Sequence, residues 1–297
     1  MISENSLDVT RYALEAMSQT RDHRLREILV ALVTHLHQFI REVRLTEAEF
    51  REATAVINRM GQLTNDTHNE TVLMAGSLGV SALVCLLNNG NNGQTETAQS
   101  LLGPFWRLDS PRIANGGSIV RSPISGPALF VNARVVAASG DPVADAEVDV
   151  WHASPVGLYE NQDPEQAEMN LRGKLTTDAN GAFSFRTVMM AGYPIPATGV
   201  VGALLDTQGR SPYRPAHLHA LIAKPGFKVL ISQVYSPHDP NIERDPQFGV
   251  TRALMGNFVR HDEPHPEAQQ VSAPWYSLDH TYVMEPGEMV LPEPPIK

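Results

Sequence analysis

The stretch Arg214-Pro215-Ala216-His217-Leu218-His219 decides how the rest of the chain is read. Ala216, Leu218, Ala220 and Ile222 alternate with His217, His219 and Leu221. That is the period-2 pattern of a strand, which sends successive side chains to opposite faces. Two histidines two residues apart on a strand point the same way, close enough to hold one metal ion. His35 and His37 share that spacing, but the pattern around them is helical, and two residues on a helix stand about 200° apart around its axis. That second pair cannot chelate one ion and reads as helix surface and core. The pair at 217 and 219 is the candidate site.

The neighbouring sequence extends the strand into a sheet. Lys224-Pro225-Gly226-Phe227 offers Pro and Gly in the order of a type II turn, and the returning strand runs from Val229 to Tyr235 with Gln233 in it. A three-residue loop sets Gln233 across from His219, whereas a two-residue loop sets it opposite Leu218; the spacing leaves both registers open. Upstream, Leu129, Val131, Ala133 and Val135 form one face of a strand closed by Ser139-Gly140-Asp141-Pro142. Ala146, Val148 and Val150 alternate with Glu147 and Asp149 before Trp151-His152, and Asp178-Ala179-Asn180-Gly181 is a turn into Phe183, Phe185 and Val188. Short strands punctuated by turns predict a β-sandwich. The proline-rich, acidic tail after about residue 260 reads as an irregular wrap.

Residues 1 to about 90 carry a helical pattern instead. Leu25, Ile28, Leu29, Leu32, Val33, Leu36, Phe39, Ile40 and Val43 recur at three- and four-residue steps. Thr46-Glu47-Ala48-Glu49 is a capping box that opens a second helix striped by Phe50, Ala53, Ile57 and Met60. A third helix is expected over roughly 69–87, with small residues at Ala75, Gly76, Ser77 and Gly79, ended by Asn88-Asn89-Gly90-Asn91-Asn92-Gly93. The expected class is α+β, a helical region over 1–100 followed by a β-sandwich domain over 101–297.

At 297 residues and 42% hydrophobic content the chain has ample material for a core. A formal charge of −10 with no basic block argues against a nucleic-acid partner. The single cysteine, Cys85, excludes an intramolecular disulfide framework and a cysteine-rich metal site. No apolar run reaches the ~18 residues of a membrane span, and the N-terminus lacks the basic and apolar regions of a signal peptide, so a cytoplasmic protein is expected.

Two neutral imidazoles suit zinc, copper, iron or nickel, and the remaining ligands must come from elsewhere. Asp206, Asp239 and Glu243 are the acidic candidates, which would make a ferrous oxygenase or a zinc hydrolase. Tyr159, Tyr193, Tyr213 and Tyr235 are the phenolic ones, and a phenol binds as an anion only to a strongly Lewis-acidic cation such as ferric iron. Spacing alone does not choose between them.

Several ordered segments do. The chain resembles the intradiol ring-cleaving dioxygenases in Leu102-Gly103-Pro104-Phe105, in Trp151-His152-Ala153 through Gly157-Leu158-Tyr159, and in Asn170-Leu171-Arg172-Gly173. The likeness continues in Gly192-Tyr193-Pro194-Ile195-Pro196 and in Gly209-Arg210 followed by Arg214 to His219. The resemblance implies one non-haem Fe(III) per subunit held by Tyr159, Tyr193, His217 and His219, with Tyr193 released to act as a base when substrate chelates. It further implies Arg214 beside the aromatic ring, Gln233 as a polar pocket residue, and a pocket lined by Gly76, Leu102, Gly103, Pro104, Phe105, Ile195 and Pro196. Tyr213 matches no ligand of the family. A homodimer through the N-terminal helices, with a lipid held between them, is implied as well.

Tyr193-Pro194-Ile195-Pro196 followed by Gly199-Val200-Val201-Gly202 is more similar to the hydroxyquinol (1,2,4-trihydroxybenzene) branch than to the catechol branch. The expected reaction is cleavage between the 1,2-hydroxyls by O2 to maleylacetate, with catechol 1,2-dioxygenase as the alternative. One departure bears on this choice. Family members often carry an acidic residue at the position of Gly76; its loss removes one partner for a third hydroxyl and enlarges the pocket, so a substituted or larger diol is an alternative substrate. Two readings from other classes are a carboxylate-bound hydrolase or ferrous oxygenase using Asp239, and a β-sandwich binding module whose histidines are incidental.

Overall fold

A computed structural model describes residues 2–65, 68–88, 97–266, 268 and 270–294. Contacts divide the chain into two compact units, 1–59 and 60–297. The helix terminator expected at Asn89-Gly90-Asn91-Asn92-Gly93 lies outside the described residues.

The first unit is built on α1 (Ser6–Ser18) and α2 (His23–Val43), and α3 (Glu47–Leu63) carries the chain into the second unit. Asp22 caps α2 by accepting from Leu25 N at 2.6 Å. The expected capping box is formed at α3: Thr46 N donates to Glu49 Oε2 at 2.8 Å and Glu49 N to Thr46 Oγ1 at 3.3 Å. The two helical histidines diverge as the 3.6-residue period requires. His35 is exposed, while His37 Nδ1 bonds Thr10 Oγ1 on α1 at 2.9 Å. Leu25, Ile28, Leu32, Leu36 and Phe39 on α2 are all about half-exposed.

The second unit begins with α4 (Glu70–Ser77) and α5 (Val80–Asn88), where a single helix was expected. The two are bent by 76° at Leu78-Gly79, and Gly79 has a φ of +75°, a left-handed conformation that only glycine adopts at little cost. No single helix among the described residues is long and apolar enough to cross a membrane; the bent pair meets that test only when its halves are taken together.

Two four-stranded sheets follow. One has the order β4 (Ala182–Val188), β1 (Ala128–Ala137), β10 (Trp275–Met284), β9 (Phe258–His261); the other has the order β3 (Arg172–Thr176), β2 (Glu147–Trp151), β7 (His217–Ala223), β8 (Leu230–Tyr235). A two-stranded ribbon pairs β5 (Tyr193–Pro194) with β6 (Tyr213–Arg214), and α6 (Val200–Thr207) lies between those strands in sequence. The facing sides of the sheets share one core, in which Leu129, Val131, Val135, Phe185 and Leu278 meet Val148, Val150, Leu218, Ala220, Ile222 and Val234. Each such aliphatic side chain contributes about 1.5–3 kcal/mol by leaving water. This is the expected sandwich.

The tail corrects the sequence reading. It is not an irregular wrap, because β10 runs ten residues parallel to β1 through the middle of its sheet. Leu278, Tyr282 and Met284 on β10 are buried, and the prolines flank the strand rather than interrupt it. The β7–β8 register pairs His219 with Gln233, the first of the two alternatives.

Candidate active site

The apolar half of β7 faces the sandwich core, so the other half faces outward from the sheet. Three strands set a row across that outer face. Trp151 on β2 pairs with His219 on β7, and His219 pairs with Gln233 on β8. His217 and Tyr235 form the next row. All five are buried, because loops cover this face. The Trp151 and His219 rings stack at 4.6 Å and 7°, which fixes the imidazole plane.

The loops bring the phenols. Tyr159 ends the loop after β2, and Gly157 within that loop has a φ of +78°; a Cβ there would lie 2.7 Å from Gly192 O and 3.4 Å from Tyr193 Cα. Glycine is what lets the Tyr159 loop lie against the Tyr193 segment. The rings of Tyr159 and Tyr193 meet edge-on at 5.3 Å, and Tyr193 lies 5.4 Å from His217. Phe105 stacks on Tyr159 at 4.2 Å, and a Cβ at Gly103 would touch the His219 ring at 3.3 Å. Tyr193 and Arg214 are paired residues of the β5–β6 ribbon, so a phenol and a guanidinium enter the site together.

The donor atoms of the histidines converge. His217 Nδ1 bonds Pro215 O at 2.6 Å; a carbonyl only accepts, so Nδ1 carries the proton and Nε2 presents a lone pair. That Nε2 lies 3.1 Å from His219 Nε2. Burial lowers His217 to about 3, helped by the nearby Arg214, and burial drives His219 well below the usual histidine value, so both imidazoles are neutral. Tyr159 Oη is buried and accepts or donates no hydrogen bond among the described residues. Burial, followed by the neighbouring Tyr193, raises it well above the usual phenol value. A buried orphaned phenol beside two converging neutral imidazoles fits a Lewis-acidic metal ion that draws off the phenol proton. Tyr159, Tyr193, His217 and His219 are the residues that could hold it.

A cationic arm borders this set. Arg214 Nη2 donates to Gln233 Oε1 at 3.1 Å and to Tyr235 Oη at 2.5 Å, while Gln233 Nε2 donates to Leu101 O at 2.5 Å. Arg214 Nε and Nη2 are held by the two oxygens of Asp245 at 3.1 and 3.2 Å. Burial works to raise Asp245, yet Arg214 and the N–H groups of Gln247 and Gly249 hold it below the usual carboxylate range. On the far side, Arg172 Nε donates to Glu160 Oε1 at 2.8 Å, and its guanidinium lies 5.8 Å from the Tyr159 ring.

The expected pocket residues divide. Gly103 and Phe105 touch the site, and Leu102 packs on the cluster containing Trp151, Tyr159 and Tyr193. Ile195 sits in a neighbouring cluster with Val201, Leu205, Leu73 and Met74. Pro104 is exposed and Pro196 half-buried. Gly76 is buried against Gln247. Tyr213 is 45% exposed. Asp239 is committed elsewhere: its Oδ2 accepts from Ala216 N at 3.0 Å and holds the entry to β7. Among the described residues no three His, Cys, Asp or Glu side chains gather to hold a metal, which leaves the phenols as partners for the histidines. Sequence reasoning gave no role to Trp151 and Asp245, and offered Tyr235 only as a candidate metal ligand. Strand parity could have placed Trp151 and Tyr235 on this face, since Tyr235 follows Gln233 by two residues; Asp245 lies in a loop and carried no signal.

Residues 118–273 match the family model described as dioxygenase, more than half the chain, and residues 22–96 match that for the catechol dioxygenase N terminus. The chain is 34% identical over 282 residues to hydroxyquinol 1,2-dioxygenase of Nocardioides simplex, covering 94% of this chain and 95% of that one. The chain belongs to the intradiol ring-cleaving dioxygenases. Catechol 1,2-dioxygenase of Candida albicans is also 34% identical, over 86% of this chain and 85% of its own. Among solved structures, hydroxyquinol 1,2-dioxygenase of Pseudomonas putida DLL-E4 superposes with a TM-score of 0.86 at 32% identity, covering 95% of this chain and 99% of that one. For catechol 1,2-dioxygenase of Pseudomonas arvilla C-1 the values are 0.77 and 26%, covering 94% and 92%. Iron, an aromatic substrate and O2 are implied for this dioxygenase by its family.

Proposed function

We propose that this dioxygenase cleaves hydroxyquinol between its 1,2-hydroxyls with O2 to give maleylacetate, using one non-haem Fe(III) per subunit held by Tyr159, Tyr193, His217 and His219. The observation that carries the metal assignment is the orphaned, buried Tyr159 Oη beside two histidines whose Nε2 atoms lie 3.1 Å apart. The chemistry that ferric iron supplies when bound is chelation of the diol and activation of a ring carbon towards dioxygen.

The chain's own residues do the rest. Tyr193 lies edge-on to Tyr159 and beside His217, placed to take a hydroxyl proton from the incoming diol as general base. Arg214 fixes a positive charge where negative charge gathers on the ring, and Asp245, Gln233 and Tyr235 fix its orientation. Leu102, Gly103 and Phe105 close the face and keep bulk water from the reacting ring. The hydroxyquinol choice is supported by the Tyr193-Pro194-Ile195-Pro196 segment and by the relatives named above. Catechol as substrate is the second reading, favoured by the missing carboxylate at Gly76. Initial rates on both diols, with the products identified, test the choice: kcat/KM higher for hydroxyquinol with maleylacetate as product is expected, and a higher value for catechol with cis,cis-muconate overturns it.

By the same reading the protein is a cytoplasmic homodimer joined through its N-terminal helices, with a lipid held between them. Support for the pairing comes from the apolar residues that α2 leaves about half-exposed from Leu25 to Phe39.

A further inference from the structure

Arg172 on β3 is 1% exposed, and it ends the row that runs across the sheet through Trp151, His219 and Gln233. Two strand spacings, about 10 Å, separate its backbone from that of His219. Its guanidinium reaches Tyr159 instead, with 5.8 Å between Cζ and the ring centre. Nε donates to Glu160 Oε1 at 2.8 Å, and Nη1 donates to Phe105 O at 2.5 Å. Glu160 follows Tyr159 directly in the chain, and the Phe105 ring stacks on the Tyr159 ring at 4.2 Å. One guanidinium thus holds both the residue next to the phenol and the residue that covers its face. Nη2 is buried and has no hydrogen-bond partner among the described residues.

Charge in this corner does not balance. The buried Glu160 Oε1 also accepts from Arg107 Nη1 at 3.1 Å. The other carboxylate in reach, Glu168, is exposed, bonds Arg107 alone at 3.2 Å, and is screened by solvent. Two guanidiniums against one buried carboxylate leave a surplus of positive charge beside the Tyr159 ring. A surplus of buried charge costs stability, so an ion pair that served the fold alone would not carry one. The backbone leading into Arg172 is strained as well. Met169 and Leu171 have φ values of 60° and 59°, a region that bulky side chains rarely adopt, and Leu171 is buried. Strain of this kind persists where the surrounding structure fixes the geometry.

We infer that Arg172 is a positioning residue for the dioxygenase reaction: with Glu160 it fixes the Tyr159 ring against Phe105 and sets a positive charge beside that ring. A phenolate next to a fixed cation gives less of its charge to a bound metal, which leaves the metal more Lewis-acidic towards the diol. The inference rests on the reading that Tyr159 holds Fe(III).

The test is the visible spectrum of the iron-loaded wild type, Arg172→Met, Arg172→Lys, Glu160→Gln and Arg172→Met/Glu160→Gln, each with its iron content measured. The phenolate-to-iron transition moves an electron away from the ring beside Arg172, so losing that positive charge lowers the transition energy. Arg172→Met should therefore move the band to longer wavelength, by on the order of 10 nm. Glu160→Gln, which removes the opposing charge, should move it to shorter wavelength, and the two shifts should largely cancel in the double variant. Arg172→Lys keeps the charge without the fork, so its band should stay nearer that of the wild type than the band of Arg172→Met does. A side chain that only holds the fold would not give shifts of opposite sign. Glu160→Gln keeps an oxygen for both arginines, so the spectrum stays readable if Arg172→Met fails to fold. A wild-type band that no folded variant moves, or that both charge changes move in the same direction, overturns the role of Arg172 and spares the iron reading. An iron-loaded wild type with no visible band overturns the iron reading, and this inference with it.

Discussion

Tyr159, His217 and His219 owe their chemistry to burial, and buried charge at single residues is where this structure makes its sharpest predictions. Asp245 faces Arg214 through two contacts of 3.1 and 3.2 Å, with both side chains 3% exposed. Asp245→Asn leaves that guanidinium buried without its counter-charge, which costs about 3–5 kcal/mol for a broken buried pair. Urea unfolding should show this loss, and kcat/KM should fall at least tenfold as Arg214 loses its orientation; an unchanged midpoint would show that Asp245 holds nothing. Asp149 offers a pH test. Burial raises its carboxyl from 3.8 to about 6, against the pull of Ser110, Trp106 and Lys174. The folded state therefore binds its proton more tightly than the unfolded chain does. The stability this contributes is fully present below about pH 4 and lost as pH rises through about 6. Asp149→Asn keeps an oxygen for Trp106 Nε1, now 3.1 Å from Asp149 Oδ2. It should stabilise the protein by about 1–2 kcal/mol at pH 8 and by little at pH 4, as melts at the two pH values would show. Equal effects at both would refute the assignment.

At the scale of elements, the strand pattern around His217 was legible because period 2 leaves one reading for each side chain. His217 and His219 fell on one face as their parity requires, and Gln233 joined them through the β7–β8 register, which the spacing had left open between two alternatives. Two elements were misread, for reasons that belong to tertiary structure. The proline-rich surroundings of 275–284 hid β10, whose burial comes from lying between β1 and β9. The helix expected over 69–87 breaks because Gly79 turns left-handed while Gly76 stays helical, and the pattern does not say which of the two glycines will turn. Gly79→Ala puts a Cβ on a φ of +75° and brings it 3.4 Å from the Phe248 ring. A destabilisation of about 1–2 kcal/mol is expected in thermal or urea unfolding; a neutral effect would mean that the bend is not fixed by glycine. The meeting of Tyr159 with Tyr193 was legible only through resemblance. It depends on loops closing over a sheet face, with Gly157 giving them room, and no periodicity records such a closure.

For the whole molecule, the proposed pairing through the N-terminal helices predicts that charge on the apolar face of α2 weakens assembly. Leu32→Glu with Phe39→Glu, both at about half-exposed positions, should shift the protein to monomers in sedimentation velocity while leaving its circular dichroism unchanged. A dimer that persists would place the interface elsewhere. The proposed ferric centre, two phenols and two imidazoles on the outer face of one sheet, has a direct signature in the visible spectrum. The iron-loaded protein should carry a phenolate-to-iron charge-transfer band that moves to longer wavelength on anaerobic addition of hydroxyquinol. Full iron occupancy with no band in the visible region would rule out phenolate ligation of the iron.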